Sequence, residues 1–167
     1  ARQAPRALSD RHLHPGHQMT AFADLMSFQR ETEALAQIAG RLSWDQETMM
    51  PRGAAEQRGE EMAAIEGVLH ARRTDKRVGD WLDSARAADP AGQRALDLIG
   101  RAYRRNACIP GKLAAEIARV TSVAQGIWAE ARAKNDVEHF LPTLETVLKL
   151  KREAGEALVA GGFGADA

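Results

Sequence analysis

The stretch from Pro110 to Lys134, PGKLAAEIARVTSVAQGIWAEARAK, decides the fold class. Its apolar residues alternate four and three positions apart, and this spacing places their side chains on one face of an α-helix. The residues of this seam are Leu113, Ile117, Val120, Ala124, Ile127 and Ala131. Such a seam is typical of helices that pack against other helices in a bundle, so we predict one long amphipathic helix opened by Pro110.

Helical signals of the same kind continue on both sides of this seam, and no segment after Met19 reads as a convincing strand. Thr20 predicts the N-cap of a first helix that reaches about residue 42, and a second helix is expected over about 54–73. Thr74-Asp75 and Asp89-Pro90 predict the starts of the third and fourth helices. After the fifth helix, Asn135-Asp136 resembles a cap, and Pro142 predicts a kink or restart before the sixth.

The chain is therefore predicted to be all-α, an antiparallel array of about six amphipathic helices that forms part of a larger helical fold. Residues 1–18 differ from the rest because they have no apolar period and few large apolar side chains. We expect them to be a flexible extension, either vector-derived or an over-called start, with Met19 as the natural start. Residues 19–167 are expected to form the helical region.

Charge and cysteine usage argue against several classes of protein. Lys plus Arg and Asp plus Glu number 23 each, so no global field recruits nucleic acid or anionic lipid. No apolar run approaches the roughly 18 residues that a membrane span needs. Cys108 is the only cysteine, so no intrachain disulfide can form and a cytoplasmic location is expected.

The histidines do not form a recognisable metal site. Neither His70 nor His139 begins a His-Glu-x-x-His motif, which would place two imidazoles and a general base on one helix face. Asp136 and His139 have the i, i+3 spacing of a ferritin-like carboxylate site, but no second pair is present. The sequence therefore predicts no catalytic residue, no metal ligand and no cofactor for this chain.

Two clusters are not explained by amphipathicity alone. The first comprises Trp44, Asp45, Gln46, Glu47 and Thr48, and the second comprises Trp128, Arg132, Asn135 and Asp136. Trp128 and Arg132 have i, i+4 spacing on one helix face, so the guanidinium could stack on the ring or pair with an acid. Taken without further context, the clusters read as a helix cap, a buried indole and a salt bridge.

Together the two clusters resemble the amino-terminal region of the carboxypeptidase Taq family of zinc metallocarboxypeptidases. The resemblance starts with WDQETMMP at 44–51 and continues through Gly53-Ala54, Arg58, Glu60, Ile65, Leu69 and His70. It then runs through Ile109-Pro110, Trp128, Ala131-Arg132, Asn135-Asp136, Phe140 and Pro142 as far as Ala154. Two separated motifs in the correct order are more specific than either motif alone.

The resemblance implies a parent protein that removes C-terminal amino acids from peptides, with a helical fold closed around a deep groove. In that family, two histidines of a His-Glu-x-x-His helix and a downstream glutamate bind zinc, and the motif's own glutamate activates water. All of these residues would lie beyond Ala167, so none is assigned to this chain. The nine cluster residues are expected to be structural, with residues 44–48 fixing the first helix–turn–helix against its neighbours.

The expected partners follow from the same resemblance. They are the missing carboxyl-terminal catalytic portion and, for the parent, peptide substrates. We also expect a homo-oligomer, because apolar helix faces left uncovered favour self-association. The alternative that the sequence leaves open is a self-sufficient helical scaffold or protein-interaction module without catalysis.

Overall fold

The structure is a computed structural model that describes residues 15–164, and these residues form α-helices with no strand among them. The six α-helices are α1 (Pro15–Thr48), α2 (Ala55–Arg73), α3 (Lys76–Ser84), α4 (Pro90–Cys108), α5 (Gly111–Lys134) and α6 (Val137–Ala160). A short 3-10 helix, Arg52–Ala54, precedes α2. The predicted all-α class is confirmed. Most of the predicted extension, residues 1–14, lies outside the described residues.

Three helices begin where an aspartate accepts a hydrogen bond from a free backbone N–H group of the first turn. Asp75 accepts from Arg77 at 2.9 Å, Asp89 from Gly92 at 2.6 Å, and Asp136 from His139 at 3.1 Å. These caps confirm the predicted starts of the third and fourth helices and the predicted cap at Asn135-Asp136.

Three predicted boundaries are wrong. Thr20 lies inside α1 rather than at its N-cap, and α1 continues past residue 42 to Thr48. Its last turns remain helical because Asp45 and Gln46 bind neighbouring helices. Pro142 lies inside α6, and no restart occurs there. Because proline has no backbone N–H group, the carbonyl of Glu138 receives no hydrogen bond from Pro142.

One hydrophobic core lies between α1, α3 and α4. Leu25 and Val78 are completely buried there, and the rings of Phe28 and Trp81 pack with centroids 5.5 Å apart. Arg72 closes the side of this core, because its guanidinium lies 4.0 Å from the Phe28 ring centroid. The other buried members of the cluster are Ala21, Ala85 and Leu96.

The predicted seam of α5 is confirmed by the burial of its residues. Leu113, Val120, Ala124 and Ala131 are buried, and the two isoleucines of the seam are half-buried. The helix α5 packs against α2 on one side and α6 on another. The α2–α5 contact is close at Gly59, where a Cβ atom would lie 2.9 Å from Cγ2 of Val123. This glycine allows the two helices to approach each other.

Candidate functional site

The first cluster lies in the last turns of α1, and one half of it faces the protein. Asp45 forms a 2.5 Å ion pair with Arg58 of α2, and Arg58 also pairs with Glu61 at 2.9 Å. A further guanidinium N–H group of Arg58 donates to the carbonyl of Leu42. The hydrogen bond to Asp45, followed by the weaker one to Glu61, raises the pKa of Arg58 and outweighs its desolvation. The guanidinium therefore stays charged while its side chain is buried.

Gln46 joins the end of α1 to α5 through two hydrogen bonds to one residue. Its Nε2 donates to the carbonyl of Ser122 at 2.7 Å, and the Ser122 hydroxyl donates to its Oε1 at 2.7 Å. Ser122 is buried, so these bonds are shielded from solvent. The two residues are 76 positions apart in the sequence, and their contact fixes the position of the first cluster relative to α5.

The other half of the first cluster faces outward. Trp44 is 64% exposed, and Glu47 and Thr48 are also exposed. The Thr48 hydroxyl donates to the carbonyl of Trp44 at 2.7 Å and so satisfies one carbonyl of the last helical turn. The interpretation of Trp44 as a buried indole is therefore wrong for the described part of the chain.

The second cluster lies at the end of α5 and is likewise largely exposed. Trp128 is 53% exposed, and Arg132 is exposed beside it. Among the described residues, the guanidinium–ring contacts involve Arg72 and Arg77, and Arg132 forms neither a ring contact nor an ion pair. The suggested stack or ion pair of Arg132 is therefore absent from the described residues.

Asn135 and Asp136 build the turn between α5 and α6. Asn135 has φ of 55°, the left-handed conformation that asparagine tolerates better than most residues. The N–H groups of Asn135 and Asp136 donate to the carbonyls of Arg132 and Ala131, at 3.3 and 2.8 Å. This is the Schellman arrangement for ending a helix, and Asp136 then caps the next one.

The end of α1 and the second half of α5, which carry the two clusters, lie side by side. Gln46 binds Ser122 of α5, and Arg52 lies 3.9 Å from Glu130 of the same helix. An open groove between the end of α1 and α5 is lined by Gln46, Met50, Glu56, Ile127, Glu130 and Lys134. A smaller, mainly apolar depression next to it lies between Trp128, Val137 and Phe140.

Several contacts were missed by the sequence analysis. Arg58 is a charged residue among the acidic residues of α2, yet only 8% of it is exposed. His70 lies with a ring nitrogen 2.7 Å from the carbonyl of Ile109, which ties α2 to the α4–α5 turn. The only sequence signal for Arg58 and His70 is their place in the family pattern, because helical periodicity does not identify buried polar residues.

The described residues offer no place for the metal ion that the family pattern implies. Over residues 15–164, no three His, Cys, Asp or Glu side chains converge to hold a metal ion. The Asp136 carboxylate binds the backbone N–H group of His139, whose side chain is exposed. In the same range, no helix is both long and apolar enough to cross a membrane.

Comparison with known proteins identifies the family of this chain. A family model described as carboxypeptidase Taq (M32) metallopeptidase matches residues 24–164. The chain therefore belongs to this family of metallopeptidases.

Three relatives show how much of a family member the chain represents. Thermostable carboxypeptidase 1 of Thermus thermophilus is 40% identical over 84% of this chain but only 29% of its own length. Thermostable carboxypeptidase 1 of Pyrococcus furiosus is 24% identical over 77% of this chain and 26% of its own length. Carboxypeptidase 1 of Bacillus subtilis is 26% identical over 66% of this chain and 23% of its own length. The chain thus spans less than a third of each of these relatives.

Proposed function

We propose that this chain is the amino-terminal helical region of a zinc-dependent carboxypeptidase that releases C-terminal amino acids from peptides. The observation that carries the proposal is the uneven coverage in the Thermus comparison. The match takes up 84% of this chain and 29% of the relative. The family is a metallopeptidase family, so a divalent metal is expected in the longer protein. When bound, zinc polarises the scissile carbonyl and activates a water molecule.

We propose further that the 167-residue chain is inactive by itself. Metal-assisted peptide hydrolysis needs several nitrogen and carboxylate donors around one cation, with one coordination position left open. Within residues 15–164 no such donor set converges. The zinc ligands and the catalytic glutamate would therefore belong to the carboxyl-terminal portion, which we expect to be the principal partner of this chain. We expect the longer protein to be cytoplasmic.

In this proposal the nine cluster residues have structural roles. Asp45 and Gln46 hold the end of α1 on α2 and α5, through Arg58 and Ser122. Asn135 and Asp136 end α5 and begin α6. The remaining members, Trp44, Glu47, Thr48, Trp128 and Arg132, are exposed and available to the rest of the longer protein.

The test is an assay of the complete gene product beside the 167-residue chain. Both are incubated with an N-blocked peptide, and release of the C-terminal amino acid is followed with chelator, and again after zinc is restored. We expect release by the longer protein, loss with chelator, recovery with zinc, and no release by the short chain. Metal-dependent release by the purified short chain would contradict the proposed inactivity. A coding sequence that stops near Ala167 would instead favour the scaffold alternative.

A further inference from the structure

The surface of α6 carries an apolar stripe that no described element covers. Val137, Leu141, Leu148 and Val159 are all exposed, by 67, 44, 43 and 63%. At about 100° per residue, these four positions fall within roughly 40° of one another around the helix axis. They therefore form one line along nearly the whole length of α6.

The stripe is distinct from the face that α6 packs against α5. Ala154 is buried, and Val147, Leu150 and Leu158 are half-buried on the side turned by about 100° from the stripe. The apolar arc of α6 thus spans roughly half of its circumference, and its contacts with α5 and α4 leave the stripe exposed. Lys151 is a charged residue within the arc. An apolar face that stays exposed beside existing helix contacts is typical of a helix that packs against one more element.

Trp128 extends the stripe beyond the start of α6. It lines the depression that also contains Val137 and Phe140, so its exposed indole continues the apolar surface onto α5. Together, Trp128 and the four stripe residues account for half of the ten large hydrophobic residues exposed among those described. A contiguous patch of exposed apolar residues indicates an interface, whereas single exposed apolar residues are common on any protein surface.

The helix α6 ends in a tight turn at Gly162. Gly162 has φ of +88°, and the N–H groups of Gly162 and Phe163 donate to the carbonyls of Val159 and Leu158, at 3.0 and 2.9 Å. This is a Schellman motif, which ends the helix and turns the chain sharply. In the longer protein, the segment after this motif would therefore leave the direction of the α6 axis.

We infer that the α6 stripe and Trp128 are covered, in the longer protein, by an amphipathic helix from the portion that follows this chain. The inference rests on the part of the proposed function that makes this chain the amino-terminal region of a longer protein. Its support is the wide apolar arc, the turn at Gly162, and the 71% of the Thermus relative that the match leaves uncovered, since the match takes up 29%. An intramolecular occupant accounts for all three observations.

The test is hydroxyl-radical footprinting of the complete gene product, read by mass spectrometry. Leu98 on α4 and Val68 on α2 are controls, since each is 49% exposed and lies on a helix that does not carry the stripe. We expect Leu141 and Leu148 to be modified about fivefold more slowly than the controls, as for a fall from about 43% exposure to a buried state. Equal modification of stripe and controls would overturn the inference.

Two further measurements separate the alternatives. Leu148→Lys should lower the Tm of the longer protein by about 5 °C or more, because a lysine would be buried, whereas Leu98→Lys should have little effect. Should the protection of Leu148 disappear on dilution to monomers, the stripe would be an interface between copies and the inference would be wrong. Footprinting does not depend on activity, so protection without peptide hydrolysis would contradict only the proposed function.

Discussion

At the scale of single residues, Arg58 is a buried charged side chain that depends on its hydrogen-bond partners. A buried guanidinium is costly unless its donors are engaged, and here they bind Asp45, Glu61 and the carbonyl of Leu42. Both carboxylates remain about 40% exposed, so water can compensate them if the arginine is removed. Without the arginine, the carbonyl of Leu42 loses this donor and the space of the side chain is left empty, and water compensates these two losses less well.

Arg58→Ala should therefore lower the free energy of unfolding by about 2 kcal/mol, the cost of losing hydrogen bonds to charged groups. This is less than the roughly 3–5 kcal/mol for breaking a fully buried ion pair, because both carboxylates remain partly exposed. Urea unfolding followed by circular dichroism measures the change. Arg52→Ala is the matched control, because the Arg52 side chain is 92% exposed and lies 3.9 Å from Glu130. That variant should stay within about 0.5 kcal/mol of the parent. Equal losses in the two variants would refute a special role for Arg58.

A second prediction at this scale concerns pH, the cap of α3 at Asp75, and the ion pair between Glu116 and Arg119 within α5. The hydrogen bonds from Arg77 lower the pKa of Asp75, and the side-chain hydrogen bond from Arg119 lowers the pKa of Glu116. In the unfolded chain both carboxyls bind protons more readily, so their contribution to stability is complete above about pH 4 to 5 and is lost as the pH falls through the folded pKa values.

Thermal unfolding measured across this acidic range should show a Tm that falls with decreasing pH. Asp75→Asn keeps an N-cap oxygen but removes the titrating group, so it should flatten part of that fall. Glu116→Gln should flatten another part, and the double variant should be flatter than either. An unchanged slope in the double variant would show that these two groups do not link stability to pH.

At the scale of elements, the contact between α2 and α5 depends on a position without a side chain. An alanine Cβ at residue 59 would lie 2.9 Å from Cγ2 of Val123 and 3.4 Å from the backbone oxygen of Arg119. The steric cost of such overpacking, about 1–3 kcal/mol, exceeds the gain of up to about 1 kcal/mol from replacing glycine in a helix. Gly59→Ala should therefore destabilise the chain by about 1 kcal/mol.

Gly67 provides the control for this substitution within the same helix. Nothing lies within 4 Å of a Cβ atom built at Gly67. Gly67→Ala should therefore stabilise the chain by about 0.5–1 kcal/mol, through helix propensity alone. Parallel urea unfolding of both variants gives the comparison, and stabilisation by Gly59→Ala would show that α2 and α5 can separate without loss.

The same scale shows why some elements could be predicted from the sequence. The caps at Asp75, Asp89 and Asp136 act over two or three residues, so their signals are visible locally. The seam of α5 is also local, because one helix carries the whole period. By contrast, the last turns of α1 are held by Ser122 and Arg58, which are remote in sequence, so the predicted end near residue 42 came too early.

The candidate site was less predictable than the fold. Its members were found through the family pattern, but the orientations of their side chains could not be predicted. Helical periodicity assigns a residue to the buried or the exposed face by its hydrophobicity. On that criterion an arginine should face water and a tryptophan should be buried. Arg58 and Trp44 do the reverse. Arg58 is buried by specific charge pairing, whereas exposure of Trp44 depends on what the rest of a longer protein contributes.

At the scale of the whole molecule, the described chain has one complete hydrophobic core and one open apolar surface. The core of α1, α3 and α4 is built from residues of this chain alone. Among the described residues, Trp128 and the α6 stripe do not belong to this core and are exposed, although their side chains are large and apolar. Such a division is expected of a region that folds around its own core and then receives the remainder of a longer protein.

This open surface predicts how the 167-residue chain behaves without its partner. Exposed apolar stripes favour association between copies, so sedimentation velocity should show a coefficient that rises with protein concentration. Leu148→Lys places a charge in the middle of the stripe and should shift the chain toward the monomer, whereas Leu98→Lys, a substitution on α4, should not. If the unmodified chain sediments as a monomer at every concentration, the stripe is too small or too interrupted by Lys151 to act as an interface. If both substitutions weaken association equally, the copies do not associate through the α6 stripe. That result would contradict the proposal that the stripe is an interface.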